Sequence, residues 1–147
     1  DIRRLVSEAI QQMWSRELGV NVQLSNQEKK VVYASRRAGD YQILLGDWTA
    51  DYFDATTFLD LWRSGNGNNH TGWTDPAYDA LCDRADQTID SAARAALLVQ
   101  AENLVLDAAP IIPIYFNTHV YYLHPAVKGY FPTPGEHTDY RYVFLQP

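Results

Sequence analysis

One cysteine, Cys82, stands in 147 residues, so the chain can form no internal disulfide and no zinc site built from cysteines. A lone thiol is silent on redox compartment. No uninterrupted apolar run approaches the ~20 residues that a membrane-spanning helix requires. Bases are in the minority. The chain has 12 Lys and Arg against 18 Asp and Glu, a net charge of -6 and a pI of about 5.0. That balance argues against a nucleic-acid partner, because phosphate backbones are gripped by Lys and Arg. A phosphate loop is absent as well, since Gly65, Gly67 and Gly72 have the wrong spacing and no Lys-Ser/Thr pair follows them. No serine sits in a G-x-S-x-G context.

What is present is a globular composition, 46% hydrophobic and 20% charged, with the size of one ordinary domain. Aromatics reach 13%, including 4 Trp and 10 Tyr, and such side chains serve both cores and binding surfaces. Charge is uneven along the chain. Residues 1–40 carry 7 bases and 5 acids, whereas residues 41–147 carry 5 bases and 13 acids. An acidic C-terminal section suits cationic ligands or simple solubility.

Ile2, Leu5, Val6, Ala9, Ile10, Met13 and Trp14 recur at helical spacing and predict a first helix stopped at Gly19. Val20, Val22 and Leu24 then alternate with polar residues, a strand pattern. Ser25 and Glu28 have capping-box spacing, predicting a second helix that ends near Gly39. Residues 41–45 read as a buried strand leading to Gly46, Asp47 and Trp48, and Asp54 is placed to cap a helix carrying Phe58, Leu59, Leu61 and Trp62. After a polar, turn-rich loop at 64–73, Asp75-Pro76 opens a helix with Tyr78, Leu81, Cys82 and Ala85 inward. A longer helix from Asp90-Ser91 to about Ala108 turns Leu97, Ala101, Leu104, Val105 and Ala108 inward, and Pro110 ends it. Residues 111–123 suggest an edge hairpin interrupted at Pro113 and Asn117-Thr118, and residues 140–145 suggest a final strand. This order is that of an α/β domain. A first helix so apolar normally packs on a sheet already begun, so the chain is expected to be a fragment.

Candidate chemistry concentrates in residues 46–59. Ligands of open α/β sheets gather beyond the carboxyl ends of strands, where this segment is predicted to lie. Asp54 has a ready structural role as a cap. Asp51 has none, and Trp48 and Tyr52 flank it. A carboxylate beside aromatic walls can hold an ammonium group by charge-assisted hydrogen bonds and ring-face attraction. The competing reading makes Asp51 a turn residue and Trp48 a core residue. Asp47, Asp51, Asp54 and Asp60 are close enough in sequence for a hydrolase pair, but nothing supplies the setting that raises one carboxyl's pKa. Cys82, on an apolar helix face, reads as a small buried hydrophobe. Among the histidines, His119 and His124 fall on opposite faces of a continuous strand, and His70 and His137 sit in separate loops. Neither a metal site nor a cofactor is expected. Asn69-His70-Thr71 is a formal glycosylation triplet, meaningful only in a eukaryotic secretory setting.

Taken in order, several segments resemble the bacterial peptide-binding proteins of extracellular solute-binding protein family 5, the receptors of dipeptide and oligopeptide ABC importers. Glu17 to Leu24 resembles the family's LGV strand, and Asp47-Trp48-Thr49-Ala50-Asp51-Tyr52 with Thr57-Phe58-Leu59 resembles its W-x-A-D-Y segment. Trp73 to Ala85 is similar to the (N/D)P-x-(Y/F)-D-x-L helix, and Arg94 to Tyr115 to the helix and AP-I-I-P-(I/L)-Y strand after it. Val127-Lys128-Gly129-Tyr130 resembles the late V-x-G-(Y/F) turn.

The resemblance implies an α/β fold, the C-terminal lobe of a two-lobed periplasmic-binding-protein-like (type II, peptide-binding) architecture, with a small mixed sheet flanked by helices. It implies a partial ligand-binding lobe at residues 1–129 and a tail at 130–147 that returns to the first lobe. Asp51 is implied to hold a peptide's α-ammonium, and the backbone at Trp48, Thr49 and Ala50 to pair with the peptide like an added strand. The implied partners are a peptide with a free amino terminus and the membrane permease of an ABC importer. The implied setting is periplasmic or extracytoplasmic, with lipid anchoring of the intact protein. A fragment dimer through an exposed sheet edge is a further expectation. This chain departs from some members in having Leu45 and Gly46, with no base, just before Trp48. Alternatives are a relative that binds a non-peptide solute such as a sugar or nickel chelate, and a hydrolase using the acids of residues 47–60.

Overall fold

The computed structural model describes residues 2–118, 120–132 and 139–146. The chain divides into two compact units, residues 1–47 and 48–147.

In the first unit, α1 spans Ile2–Leu18 and α2 spans Lys29–Ala38. Gly19 closes α1 with a positive φ of 66°, and the Val20 amide donates back to the Trp14 carbonyl at 3.2 Å. The Gln11 side-chain amide donates to the Val22 carbonyl at 2.6 Å and ties the following segment to α1. The capping box expected from Ser25 and Glu28 does not form. Glu28 is itself the N-cap and makes no side-chain bond there, so α2 begins later than its spacing suggested. Gly39 ends α2 in the left-handed region, as a helix C-terminus favours.

In the second unit, α3 is a single turn, Thr56–Leu59, continued by a 3-10 turn at Asp60–Trp62. Helix α4 spans Pro76–Gln87, with Asp75 as its cap, accepting from the Ala77 amide at 2.7 Å. Helix α5 spans Ser91–Ala108, and its cap Asp90 accepts from the Ala93 amide at 2.8 Å. The α4–α5 hairpin builds the core. Tyr78, Cys82, Ala85, Leu97, Leu98, Ala101 and Val105 are all buried, and α3 adds Leu59. The inward face of α4 is as its spacing predicted. On α5, Leu98 is also buried, whereas Ala108, expected inward, is the last residue of the helix and is exposed. Arg63 pins the 3-10 turn to α4, its guanidinium lying 2.8, 2.9 and 2.6 Å from Asp60, Asp83 and Asp86.

The only ladder among the described residues joins β1, Val127–Lys128, to β2, Phe144–Leu145, antiparallel with Val127 opposite Leu145. Gly129 follows β1 with a φ of 71°, and a Cβ there would lie 1.9 Å from the Tyr142 carbonyl oxygen. The strand expected over 140–145 is a 3-10 turn at Tyr140–Tyr142 followed by β2. Residues 20–24, 41–45 and the described part of 111–123 form no strand. Their alternation suits a sheet, but a strand needs a neighbour to accept its backbone bonds, and none is found among the described residues. The sheet edge on which self-association was expected is correspondingly two residues long.

Candidate functional site

The segment 48–55 contains neither helix nor strand. Its side chains are mostly outward: Tyr52 and Phe53 are 48% and 76% exposed. Trp48 is half-buried, and its indole N–H is enclosed with no hydrogen-bond partner among the described residues. Thr49 is exposed and Ala50 half-buried. Asp51 is exposed, and among the described residues no donor meets its carboxylate. Its backbone amide does have a partner, donating to Thr57 Oγ1 at 2.9 Å.

Asp54 behaves differently. It accepts from the Thr56 amide at 3.0 Å and from the Thr56 hydroxyl at 2.8 Å and so braces the start of α3, although the cap position expected of it is taken by Ala55. It also receives both Nη atoms of Arg94, on α5, at 2.7 and 2.8 Å. The bidentate Arg94 contact, reinforced by Thr56, holds the Asp54 carboxyl well below the usual carboxylate range. The four aspartates therefore do not act as a group. Asp54 is committed to Arg94, and Asp60 to Arg63. Asp47 pairs with Arg3 within the first unit, at 2.7 Å.

Two features seen in the sequence turn out to be structural. The Asn69 side-chain amide donates to the carbonyls of Trp62 and Trp73 at 3.2 and 3.0 Å, while its oxygen accepts from Thr71, so it braces the 64–73 loop from within. Cys82 is buried between α4 and α5, and burial pushes its thiol pKa up. His119 and His137 lie outside the described residues. Sequence reasoning missed Arg94 and Thr57. A signal for Thr57 existed, a threonine at an otherwise apolar helix position. Arg94 carried none, being 40 residues from its partner.

The family model for bacterial extracellular solute-binding proteins, family 5, middle region, matches residues 1–70. Oligopeptide-binding protein OppA of Bacillus subtilis is 38% identical over 92% of this chain and 25% of its own. The probable deoxycholate-binding periplasmic protein YgiS of Escherichia coli is 36% identical over 88% of this chain and 24% of its own. The crystal structure of Haemophilus influenzae OppA in complex with RPPGFSPFR overlays with a TM-score of 0.88 at 32% identity, over 97% of this chain and 28% of that one. The chain thus spans about a quarter of the length of the relatives it matches. The solved structures it overlays are two-lobed periplasmic peptide-binding proteins, and the chain has the fold of part of one. With the family model covering the first unit and these likenesses continuing through the second, the chain belongs to the bacterial extracellular solute-binding proteins of family 5.

Proposed function

We propose that this chain forms part of the second, ligand-receiving lobe of an extracytoplasmic receptor that captures peptides for an ABC importer, with no catalytic step of its own. The observation that carries the reading is Asp51, an exposed carboxylate that meets no donor among the described residues, three positions from half-buried Trp48. A buried or paired aspartate has spent its acceptors, whereas this one is open to an incoming ammonium group. The backbone from Trp48 to Ala50 makes no ladder of its own among the described residues and is available to pair with an extended peptide. In this reading residues 130–147 return toward the first lobe, the intact receptor is held at the membrane by a lipid, and it delivers ligand to the permease.

The test is an NMR titration of the Trp indole signals with a tripeptide and its N-acetylated copy, repeated on Asp51→Asn. An indole that shifts with the free amine alone, and no longer shifts in Asp51→Asn, supports the anchor. Equal responses to both peptides overturn it and favour a second reading, a non-peptide solute, for which the deoxycholate-binding name of the Escherichia coli relative is the motive.

A further inference from the structure

The exposure of segment 48–55 poses a mechanical problem. A loop whose side chains point outward cannot be placed by burial, yet an aspartate that reads an ammonium group has to be held within a fraction of an ångström. Among the described residues, Thr56 and Thr57 are the ones classed as polar that are buried, at 7% and 4% exposure. Burying a hydroxyl is unfavourable unless it is hydrogen-bonded, and a valine would fill the same space without that cost. Both hydroxyls are used, and both hold the loop. Thr57 Oγ1 accepts from the Asp51 amide at 2.9 Å. The Thr56 hydroxyl donates to Asp54 at 2.8 Å and lies 3.3 Å from the Tyr52 hydroxyl. Asp54 in turn is clamped to α5 by Arg94. The loop is therefore fixed at Asp51, Tyr52 and Asp54 by a polar network rooted in the helical core.

We infer that Thr57, with the Asp54–Arg94 pair, is a positioning device that holds the Asp51 backbone where its carboxylate can discriminate a free from a blocked amino terminus. The inference rests on the reading of Asp51 as the ammonium anchor, and its test separates the two. The labelled 147-residue chain and its variants Thr57→Val and Thr57→Ser are compared in two measurements. One is hydrogen exchange at the Asp51 amide without ligand. The other is the ratio of dissociation constants for the N-acetylated and free tripeptide.

Thr57→Val is expected to speed Asp51 exchange about tenfold, the loss of one ordinary hydrogen bond. Amides of Ala101 and Val105 are expected to keep their rates, and the ratio to fall toward one. Thr57→Ser is expected to restore both. Arg94→Gln, at the rim of the core, is expected to loosen the Thr56 amide and lower the ratio even if Thr57→Val fails to fold. Unchanged Asp51 exchange in folded Thr57→Val, or a ratio still at the wild-type value, overturns the inference. A wild-type chain indifferent to acetylation defeats the ammonium anchor and with it the discriminating role, while the exchange data still decide whether Thr57 holds the segment.

Discussion

Tyr78 joins α4 to the turn that carries Leu59, and Tyr78→Phe removes its hydroxyl alone. The side chain is fully buried, and its hydroxyl donates to the Leu59 carbonyl at 2.5 Å. Phenylalanine keeps the ring and its edge-to-face contact with Trp73, 5.2 Å between centroids at 71°, so packing is conserved. What is lost is a neutral hydrogen bond to a carbonyl in a dry environment, about 1–2 kcal/mol. With a urea slope of about 2 kcal/mol/M, the unfolding midpoint falls by about 0.5–1 M. The assay is urea unfolding followed by far-UV circular dichroism and Trp fluorescence. A second axis comes from pH. Burial, chiefly, raises the phenol above its ordinary 10.0, so the folded state holds the proton more tightly than the unfolded chain. Stability from this group is complete below pH 10 and is lost as pH rises beyond it. Wild type should therefore show an alkaline decline that Tyr78→Phe lacks. An unchanged midpoint refutes the bond's contribution. A fall as large as the 2–5 kcal/mol typical of Leu→Ala in a core would mean that the hydroxyl is not the cause.

Three further outcomes follow from the same geometry. The depressed carboxyl of Asp54 makes its stabilising effect complete above its ordinary value of 3.8 and lost as pH falls below it, so Asp54→Asn should flatten the acid limb of a stability profile between about pH 4 and 2. Gly129→Ala places a Cβ against the Tyr142 carbonyl and should abolish protection of the Gln146 amide, bonded to Ala126 at 2.8 Å, while leaving exchange in α4 and α5 unchanged. Isothermal titration with a tripeptide should give a millimolar or weaker dissociation constant. One charge-assisted bond contributes about 1.5–3 kcal/mol, against about 4 kcal/mol for a millimolar complex. A micromolar constant would show that this chain holds more than part of a site.

Helix limits were legible because their causes are local. Asp75-Pro76, Asp90 and Gly39 act on backbone groups within a few residues, and each sits at the helix end its sequence context announced. The inward face of α4 was legible for the same reason, since 3.6 residues per turn is a property of the chain itself. Two local signals compete at the start of α2: the Ser25–Glu28 spacing fits a capping box, yet Glu28 is the cap.

The strands expected over 20–24, 41–45 and 111–123 are not seen among the described residues, for the opposite reason. Residues 41–45 are apolar enough for a buried strand, but alternation and apolarity state only which face a strand would turn inward, not whether a neighbour is there to bond it. The candidate site divides along the same line. By itself the sequence singled out Asp51 among its neighbouring aspartates, because type, spacing and flanking aromatics are written in order along the chain. Only the tertiary structure decided that Asp54 is spent on Arg94, that Asn69 braces its own loop, and that Thr57 carries the Asp51 amide. Those bonds depend on which side chains folding brings within about 3 Å, and a partner 40 residues away leaves no mark at the position it completes.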